Sequence, residues 1–441
     1  MSIINVSDIC QFVNDSSFEE IKTNSESLGL CVKEKEMCQG NLFLLANTND
    51  NFKNKKTQKT NFVNVETVET IDTKNGLVEE TCNDIAPSSP TMEVDSVVLD
   101  IQGVSDLQES IVNSEMIELY KKQANGLIFE KDTKRVICMC QNRLNDIDNF
   151  EEVINLVQNN SHGVRIEYCE DGTIIRLYNY GGEWHTATTR CITANSSYWT
   201  GNKDFDTMFW ETFDKNLLET MDTNFTYVFV LLHRENRIVV KHNVNMLVYV
   251  SRINNSTYIE DFSNQFRNVY GIKRPKLMDV EDFRNLGSDV NNFDCKFKRG
   301  ILIKIFDKAS KTWELYKYDF ERYKMIKSIR GNVPQIRMRY LELLNKPESL
   351  VLLEKFYTEN TFMFTYIKAA LLKLVKTVYR LYVESHIKHT VQVTQENLYY
   401  RTLRQLHAQY KLTNKPIGFT DVQDKIYSLD KMVIKKLLAW E

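Results

Sequence analysis

Residues 167–173, Glu-Tyr-Cys-Glu-Asp-Gly-Thr, bring a thiol, three carboxylates, a glycine and a hydroxyl into one short stretch. An acidic E-D-G-T turn feeding a hairpin is the kind of place where an enzyme would grip a nucleotide, with Gly172 at the bend. Cys169 is the candidate nucleophile. A thiolate can attack phosphorus, but a thiol with a free pKa of about 8.5 needs activation. Glu167, Glu170 and Asp171 beside it push that pKa up, so Cys169 reads as a small apolar filler before it reads as a nucleophile. Arg176 and Arg190 fall on the two strands of the hairpin. They read either as a bidentate clamp on phosphate oxygens or as ordinary exposed strand charge.

Other groups carry weaker signals. Tyr178, Tyr180, Trp184 and Trp199 read as base-stacking platforms or as core of a hairpin sheet. His185 and His233 have Glu183 and Glu235 near in sequence and read as catalytic or as hydrogen-bonded structural residues. Cys138 and Cys140 form C-x-C, and His386 and His389 stand three apart, but neither set has a second half, so no metal site is assigned. P-loop, G-x-G-x-x-G, H-E-x-x-H and G-x-S-x-G patterns do not occur, which leaves no support for the usual NTPase, dehydrogenase and hydrolase readings. Lys368, Lys373, Lys376, Arg380, Lys388, Arg401 and Arg404 recur through the C-terminal part. They are a candidate nucleic-acid-binding set, or the solvated face of an amphipathic helix.

The elements that must position these groups follow from periodicity. V-S-D-I-C-Q-F-V-N-D-S-S-F-E-E-I-K near the start predicts a helix capped by Ser7, and 29–48 predicts two strands around a polar turn. Hairpins are predicted at G-L-I-F-E/R-V-I-C-M-C, at the 173–190 stretch and at R-G-I-L-I-K-I-F/T-W-E-L-Y-K-Y-D-F. F-T-Y-V-F-V-L-L-H is expected to pair with N-R-I-V-V-K-H. Helices are predicted over 148–160, over 203–221, and from about 335 onward. Residues 49–112 are polar and without sustained periodicity, and predict a disordered insertion.

The chain has 441 residues, enough for two or three domains, and 42% hydrophobic content, enough for a real core. No apolar run reaches the length of a membrane span, and the N-terminus lacks the blocks of a signal peptide. Nine scattered cysteines suit a reducing compartment. The net charge of −3 hides an asymmetry. Residues 1–115 hold 8 Lys and Arg against 20 Asp and Glu, a net of −12, whereas residues 321–441 hold 21 against 11, a net of +10. A basic C-terminal part suits a polyanionic partner.

Five segments occur in a telling order: N-G-L-I-F-E at 125–130, C-E-D-G-T at 169–173, Y-V-F-V-L-L-H-R-E-N-R-I-V-V at 227–240, R-G-I-L-I-K-I-F at 299–306 and Y-K-Y-D-F at 316–320. Together they resemble the nucleotidyltransferase motifs of RNA ligases of the phage T4 ligase 1 type. There an R-G-x-x-F strand is followed by a K-x-D-G-S/T turn, an N-R-I-V-V segment, an E-G segment and a K-x-K strand. The layout also resembles RNA-ligase-like proteins of large cytoplasmic DNA viruses, the African swine fever virus group included. The resemblance implies an α+β fold: an antiparallel, hairpin-rich nucleotidyltransferase (ATP-grasp-like ligase) domain followed by an all-α C-terminal domain. The implied divisions are 1–48 for the N-terminal helix and first strands, 49–115 for an acidic insertion, 116–330 for the nucleotidyltransferase domain and 331–441 for the basic helical domain.

In that family a lysine amine attacks the ATP α-phosphate, so ATP and Mg are the implied cofactors. Asp171, Gly172, Arg176, Arg190 and Lys317 become the implied nucleotide-binding residues. The chain departs from the family at the reacting groups. Cys169 stands at the nucleophile position, Asn125 at the arginine of the first strand, Val230 and Arg299 at two glutamates, and Asp319 at the second lysine of K-x-K. Asp171, Gly172, Thr173, Arg176, Arg190, Asn236, Arg237 and Gly300 are retained. Three readings follow: a degenerate ligase-like protein that binds RNA or another nucleic acid, an active ATP-dependent RNA ligase using a displaced lysine such as Lys241 or Lys317, and a non-enzymatic virion or transcription-complex docking protein. The expected setting is the host-cell cytoplasm, in a viral factory or the virion, with viral proteins as further partners and no membrane.

Overall fold

The computed structural model describes residues 6–48, 117, 120–121, 123–141, 144–160, 163–199, 203–266, 269–278, 283, 298–307 and 312–440. The expected insertion at 49–115 lies outside them. Two compact units emerge, one formed by 1–32 with 45–125 and the other by 33–44 with 126–441.

In the first unit the N-terminal helical pattern is split in two, α1 (Val6–Asp15) and α2 (Phe18–Ser27). The expected cap at Ser7 is inside α1. The cap that matters is Ser17, whose hydroxyl accepts from the Glu20 N–H while the Glu20 carboxylate accepts from the Ser17 N–H. That reciprocal pair starts a new helix and so ends the old one.

The second unit, which takes residues 33–44 of the first two strands, is built mainly on antiparallel ladders. β1 (Leu30–Met37) and β2 (Gly40–Asn47) continue into β3 (Ile128–Glu130) and β4 (Val136–Cys138), with Phe43 opposite Phe129. A second sheet has the order β5-β14-β13-β6, from Leu144–Ile147, Thr312–Asp319, Gly300–Asp307 and Val164–Cys169, with β5 and β14 parallel. A third runs β11-β10-β9-β7-β8, from Glu260–Asp261, Met246–Asn254, Phe225–Leu232, Thr173–Tyr180 and Glu183–Ala187, with β12 (Ile272–Lys273) beside β10 and parallel to it. The predicted β7–β8 hairpin closes through Gly181 and Gly182, whose φ of 60° and 87° suit glycine.

Strand alternation gives each sheet two chemically different faces. In the second sheet Ile301, Ile303, Ile305 and Tyr318 turn into a core shared with helices, each aliphatic chain contributing about 2 kcal/mol. Their neighbours one position on, Gly300, Leu302, Lys304, Lys317 and Asp319, take the other face. In the third sheet Ile175, Leu177, Phe229, Leu247 and Tyr249 pack on α4 (Phe205–Trp210) around Phe209, Phe213 and Phe266, leaving Ile174, Val230 and Val248 on the opposite face.

Two expectations fail here. The helix over 203–221 stops at Trp210 and resumes only as a 3₁₀ turn at Lys215–Thr220, because the Asp214 side chain accepts from the Asn216 N–H and recaps the chain. N-R-I-V-V-K-H is a loop and not a strand. The Val239 and Val240 N–H groups donate to Asp171 Oδ2, both at 2.8 Å, instead of to a ladder.

Helices begin earlier than expected, at α5 (Glu321–Arg330), after α3 (Phe150–Asn159). They continue as α6 (Ile336–Glu342), α7 (Pro347–Phe356), α8 (Thr361–Tyr382), α9 (Tyr400–Thr413), α10 (Phe419–Tyr427) and α11 (Lys431–Leu437). The chain is thus α+β, with hairpin-rich antiparallel sheets followed by a helical C-terminal region. Among the described residues no helix is long and apolar enough to cross a membrane.

Candidate functional site

A cavity of about 280 Å³ opens between the second and third sheets. One wall is apolar. Ile174, Val230 and Val248 stand in line across β7, β9 and β10, with Val250 the extra residue of a bulge. The facing wall is ionisable, and its registers set Glu167, Leu302, Lys317 and Asp146 in one row, and Cys169, Gly300 and Asp319 in the next. Val230, Cys169, Arg299 and Lys317 therefore line a single cavity, although they are as much as 148 residues apart in sequence.

The charged groups of this wall are paired with one another. Arg299 donates to Asp319 in a fork, Nε to Oδ1 at 2.8 Å and Nη2 to Oδ2 at 3.1 Å. Burial works against the Arg299 charge, but the Asp319 carboxylate outweighs it and holds the guanidinium above its ordinary range. Lys317 Nζ lies 2.6 Å from Asp146 Oδ1, and Lys298 pairs with Glu170. Glu167, with no exposed surface, takes Arg165 at 2.7 Å and Lys304 at 2.9 Å. Burial lowers the Lys304 pKa, against the pull of that carboxylate.

Cys169 sits at the cavity with its thiol pushed up to about 11. Burial is the main cause; Asp319 and Asp171 add to it, and Arg299 and Lys317 oppose it. At neutral pH the thiol is overwhelmingly protonated and a poor nucleophile.

The expected nucleotide-binding residues occupy different places. Lys317 lines the cavity. Gly172 lines it too, and a Cβ there would come within 2.5 Å of the Leu231 carbonyl oxygen, so only glycine lets β7 start this close to β9. Asp171 is 1% exposed and holds the fold: Oδ2 takes the two valine N–H groups, Oδ1 accepts from the Tyr323 hydroxyl at 2.6 Å, and its carbonyl meets His242 Nε2. Arg176, read as clamp or exposed charge, is neither in this geometry. It is 2% exposed and donates to the carbonyls of Gly126, Met139 and Thr188. Arg190 is exposed, and so is Lys241, which does not line the cavity.

The aromatic and histidine candidates are structural in their contacts. Tyr178 donates to the Ile192 carbonyl, Tyr180 to Glu130, and Trp199 to the Arg237 carbonyl. Trp184 packs edge-on against Tyr227. His233 is 1% exposed among Glu211, Asn245 and the Glu235 N–H. Burial lowers the pKa of His185. Asn125 accepts from the Asn47 N–H. Burial raises the thiol pKa at both Cys138 and Cys140.

The implied cofactors can be tested against these partners. The apolar row offers a slot for a planar base. A divalent metal does not fit, because Glu167, Glu170 and Asp319 are each in an ion pair, and no three-ligand group occurs among the described residues. The basic set is exposed throughout. Lys368, Lys373, Lys376 and Arg380 stand on α8 opposite the buried Phe364, Ile367, Leu371, Leu374, Val375 and Val378. Lys388 follows in the next turn, and Arg401 and Arg404 are on α9. Lys368 is tied to Glu354 at 2.7 Å.

The residues that sequence reasoning passed over are Lys304 and Asp146, and Glu167 was read only as a neighbour of Cys169 and not as the buried partner of Lys304. A lysine inside the apolar run G-I-L-I-K-I-F was a legible signal, since a strand buried on both faces rarely carries a charge without a partner.

No family model matches the chain. A protein of Invertebrate iridescent virus 6 described as an immediate-early protein ICP-46 homolog is 22% identical over 419 residues, spanning 83% of this chain and 89% of that one. Among solved structures, an archaeal ATP-dependent RNA ligase is similar in one form over 68% of this chain and 84% of that chain, at 12% identity and a TM-score of 0.36. Its other form is similar over 52% and 60%, at 15% identity and a TM-score of 0.35. A Naegleria gruberi RNA ligase with ATP and Mn is similar over 43% and 58%, at 8% identity and a TM-score of 0.31.

Proposed function

We propose that this is a ligase-like nucleotidyltransferase scaffold that has given up covalent chemistry and binds single-stranded nucleic acid, RNA foremost. The observation that carries the first half is the exchanged pair Arg299–Asp319 beside Cys169. The family chemistry the sequence resembles needs a carboxylate at the first position, an ammonium at the second and an amine nucleophile at the third. Here the two charges are inverted and neutralise each other, and the nucleophile is a protonated thiol. ATP is therefore a candidate ligand of the apolar slot but not a substrate, and among the described residues the cavity's carboxylates Glu167, Glu170 and Asp319 are in ion pairs and not placed to hold Mg. An active ligase using a displaced lysine would need Lys317 released from Asp146.

The exposed cations of α8 and α9 support the second half, since phosphate neutralisation needs accessible ammonium and guanidinium groups and an excess of them. The reading includes a viral setting, the likeness to the African swine fever virus group, and an immediate-early role like that in the description of the iridescent virus relative. Host cytoplasm or virion, and contacts with viral proteins, belong to the same proposal.

Incubation with α-labelled ATP and a divalent metal, followed by a denaturing gel, tests the chemistry. No labelled band is expected, and a band stable to alkaline hydroxylamine would overturn the silent reading. A gel shift with single-stranded RNA tests the binding. Affinity should fall steeply with salt, and an absent shift at low salt would favour the docking-protein alternative.

A further inference from the structure

A second cavity, of about 530 Å³, lies among the loop after β9, the end of α5 and the starts of α6 and α8. Four arginines line it: Arg234, Arg237, Arg330 and Arg337. Two are fixed. Arg237 lies 4.4 Å over the Tyr357 ring and donates to the Val239 and Phe356 carbonyls. Arg330 is 1% exposed, donates to the Val333 and Pro334 carbonyls, and has its guanidinium 5.3 Å over the Trp199 ring.

Arg330 is the informative residue. It is a buried cation with no carboxylate partner among the described residues, and such charges are ordinarily paired. Burial lowers its pKa, and nearby Arg339 and Arg237 lower it further. The cavity's own carboxylates are committed, Glu359 to Arg237 and Glu235 to Lys203 at 2.7 Å. Buried Arg176 is also held by carbonyls alone, but it lines neither of the two cavities described above. Arg330 does line one, with Arg234 exposed and Arg337 half-buried at its edge.

We propose that this cavity binds phosphate: a phosphate group, of a free nucleotide or of a nucleic-acid backbone, seats against Arg330 and is gripped by Arg234 and Arg337. A tetrahedral dianion has enough oxygens for forks from several guanidinium groups at once, whereas a carboxylate satisfies one. The site is distinct from the cavity between the sheets and does not depend on nucleic-acid binding by the exposed face of α8.

The test uses the full chain, with pyrophosphate as the probe in calorimetric titration and single-stranded RNA in an anisotropy assay. Pyrophosphate should bind the wild type, and Arg234→Gln/Arg337→Gln should weaken it at least about tenfold with an unchanged melting temperature in the absence of ligand. Arg330→Met, checked for folding by its melting transition, should weaken it as well. Lys373→Glu/Lys376→Glu should leave pyrophosphate binding intact, which separates this site from the helix face. If the arginine double variant also loses RNA affinity, the phosphate comes from the nucleic-acid backbone; if it loses pyrophosphate alone, from a free phosphate compound. No pyrophosphate binding by the wild type, or undiminished binding by the arginine double variant, would overturn the proposal.

Discussion

Arg299 and Asp319 are a mostly buried pair whose worth depends on both members being present. Reversing one partner sets two like charges against each other among Lys317, Lys327 and Asp171, so Arg299→Glu or Asp319→Lys alone should cost about 3–5 kcal/mol. The double exchange restores a pair of opposite polarity and should recover most of that loss. Urea denaturation of the four proteins in the cycle reads the coupling directly. Additive losses would mean that the pair is incidental. Asp171 makes a separate prediction. Asp171→Ala orphans two buried N–H groups and the Tyr323 hydroxyl and should cost about 3–5 kcal/mol, whereas Asp171→Asn keeps an acceptor for the valines and should cost about half that or less. Equal losses would place the stabilisation in the carboxylate charge and not in the hydrogen bonds.

At the scale of elements, α8 is the clearest case of a helix whose two faces serve different ends. Its apolar stripe is core, so charge reversal on the opposite face leaves the fold alone. Lys373→Glu/Lys376→Glu/Arg380→Glu should lower RNA affinity and flatten the salt slope by about 2, at roughly 0.7 per single-strand phosphate contact. An unchanged slope in a gel-shift titration would show the face to be solvation only. The turn after α8 is sensitive to acid. His386 stacks on Tyr382, bonds Ser385 and lies 4.5 Å from the His407 ring; burial, helped by His389 and Lys411, lowers the pKa of both His386 and His407. Both stay neutral when folded, so their contribution is complete above about pH 6.5 and is lost as pH falls through the lower folded values. Melting temperatures at pH 7.5 and 5 should diverge less in His386→Gln/His407→Gln than in the wild type. These elements were legible because a 3.6-residue stripe or a two-residue alternation is a local property. N-R-I-V-V was misread because its partner is the Asp171 side chain, 68 residues away, and α5 was passed over because its buried face, Tyr323, Ile326 and Ile329, is thin among charges. The cavity positions Cys169, Val230, Arg299 and Lys317 were legible as a set. That Arg299 and Asp319 pair was not, since only the β13–β14 register puts Gly300 opposite Asp319.

Across the whole molecule, two kinds of site use different materials. The cavity between the sheets is made of strand registers, where the charges are paired with one another, while the basic face is made of exposed helix positions with no packing duty. Sites so separated should change independently. If the sheets keep the shape of a nucleotidyltransferase and lack only its groups, putting those groups back should restore the first step of its chemistry without touching RNA binding. The variant Cys169→Lys/Val230→Glu/Arg299→Glu/Asp319→Lys places an amine, two carboxylates and an ammonium around one cavity, with the new glutamate and lysine at 299 and 319 still able to pair. Cys169→Lys alone should remain unlabelled by α-labelled ATP, because the lysine would face Arg299 and no carboxylate able to hold a metal. The fourfold variant should take up label above the wild-type background in a denaturing gel, with its RNA gel shift and salt slope unchanged. A fourfold variant that folds, as judged by its melting transition, and binds ATP yet never becomes labelled would show that the cavity shares only its residue order with the ligases.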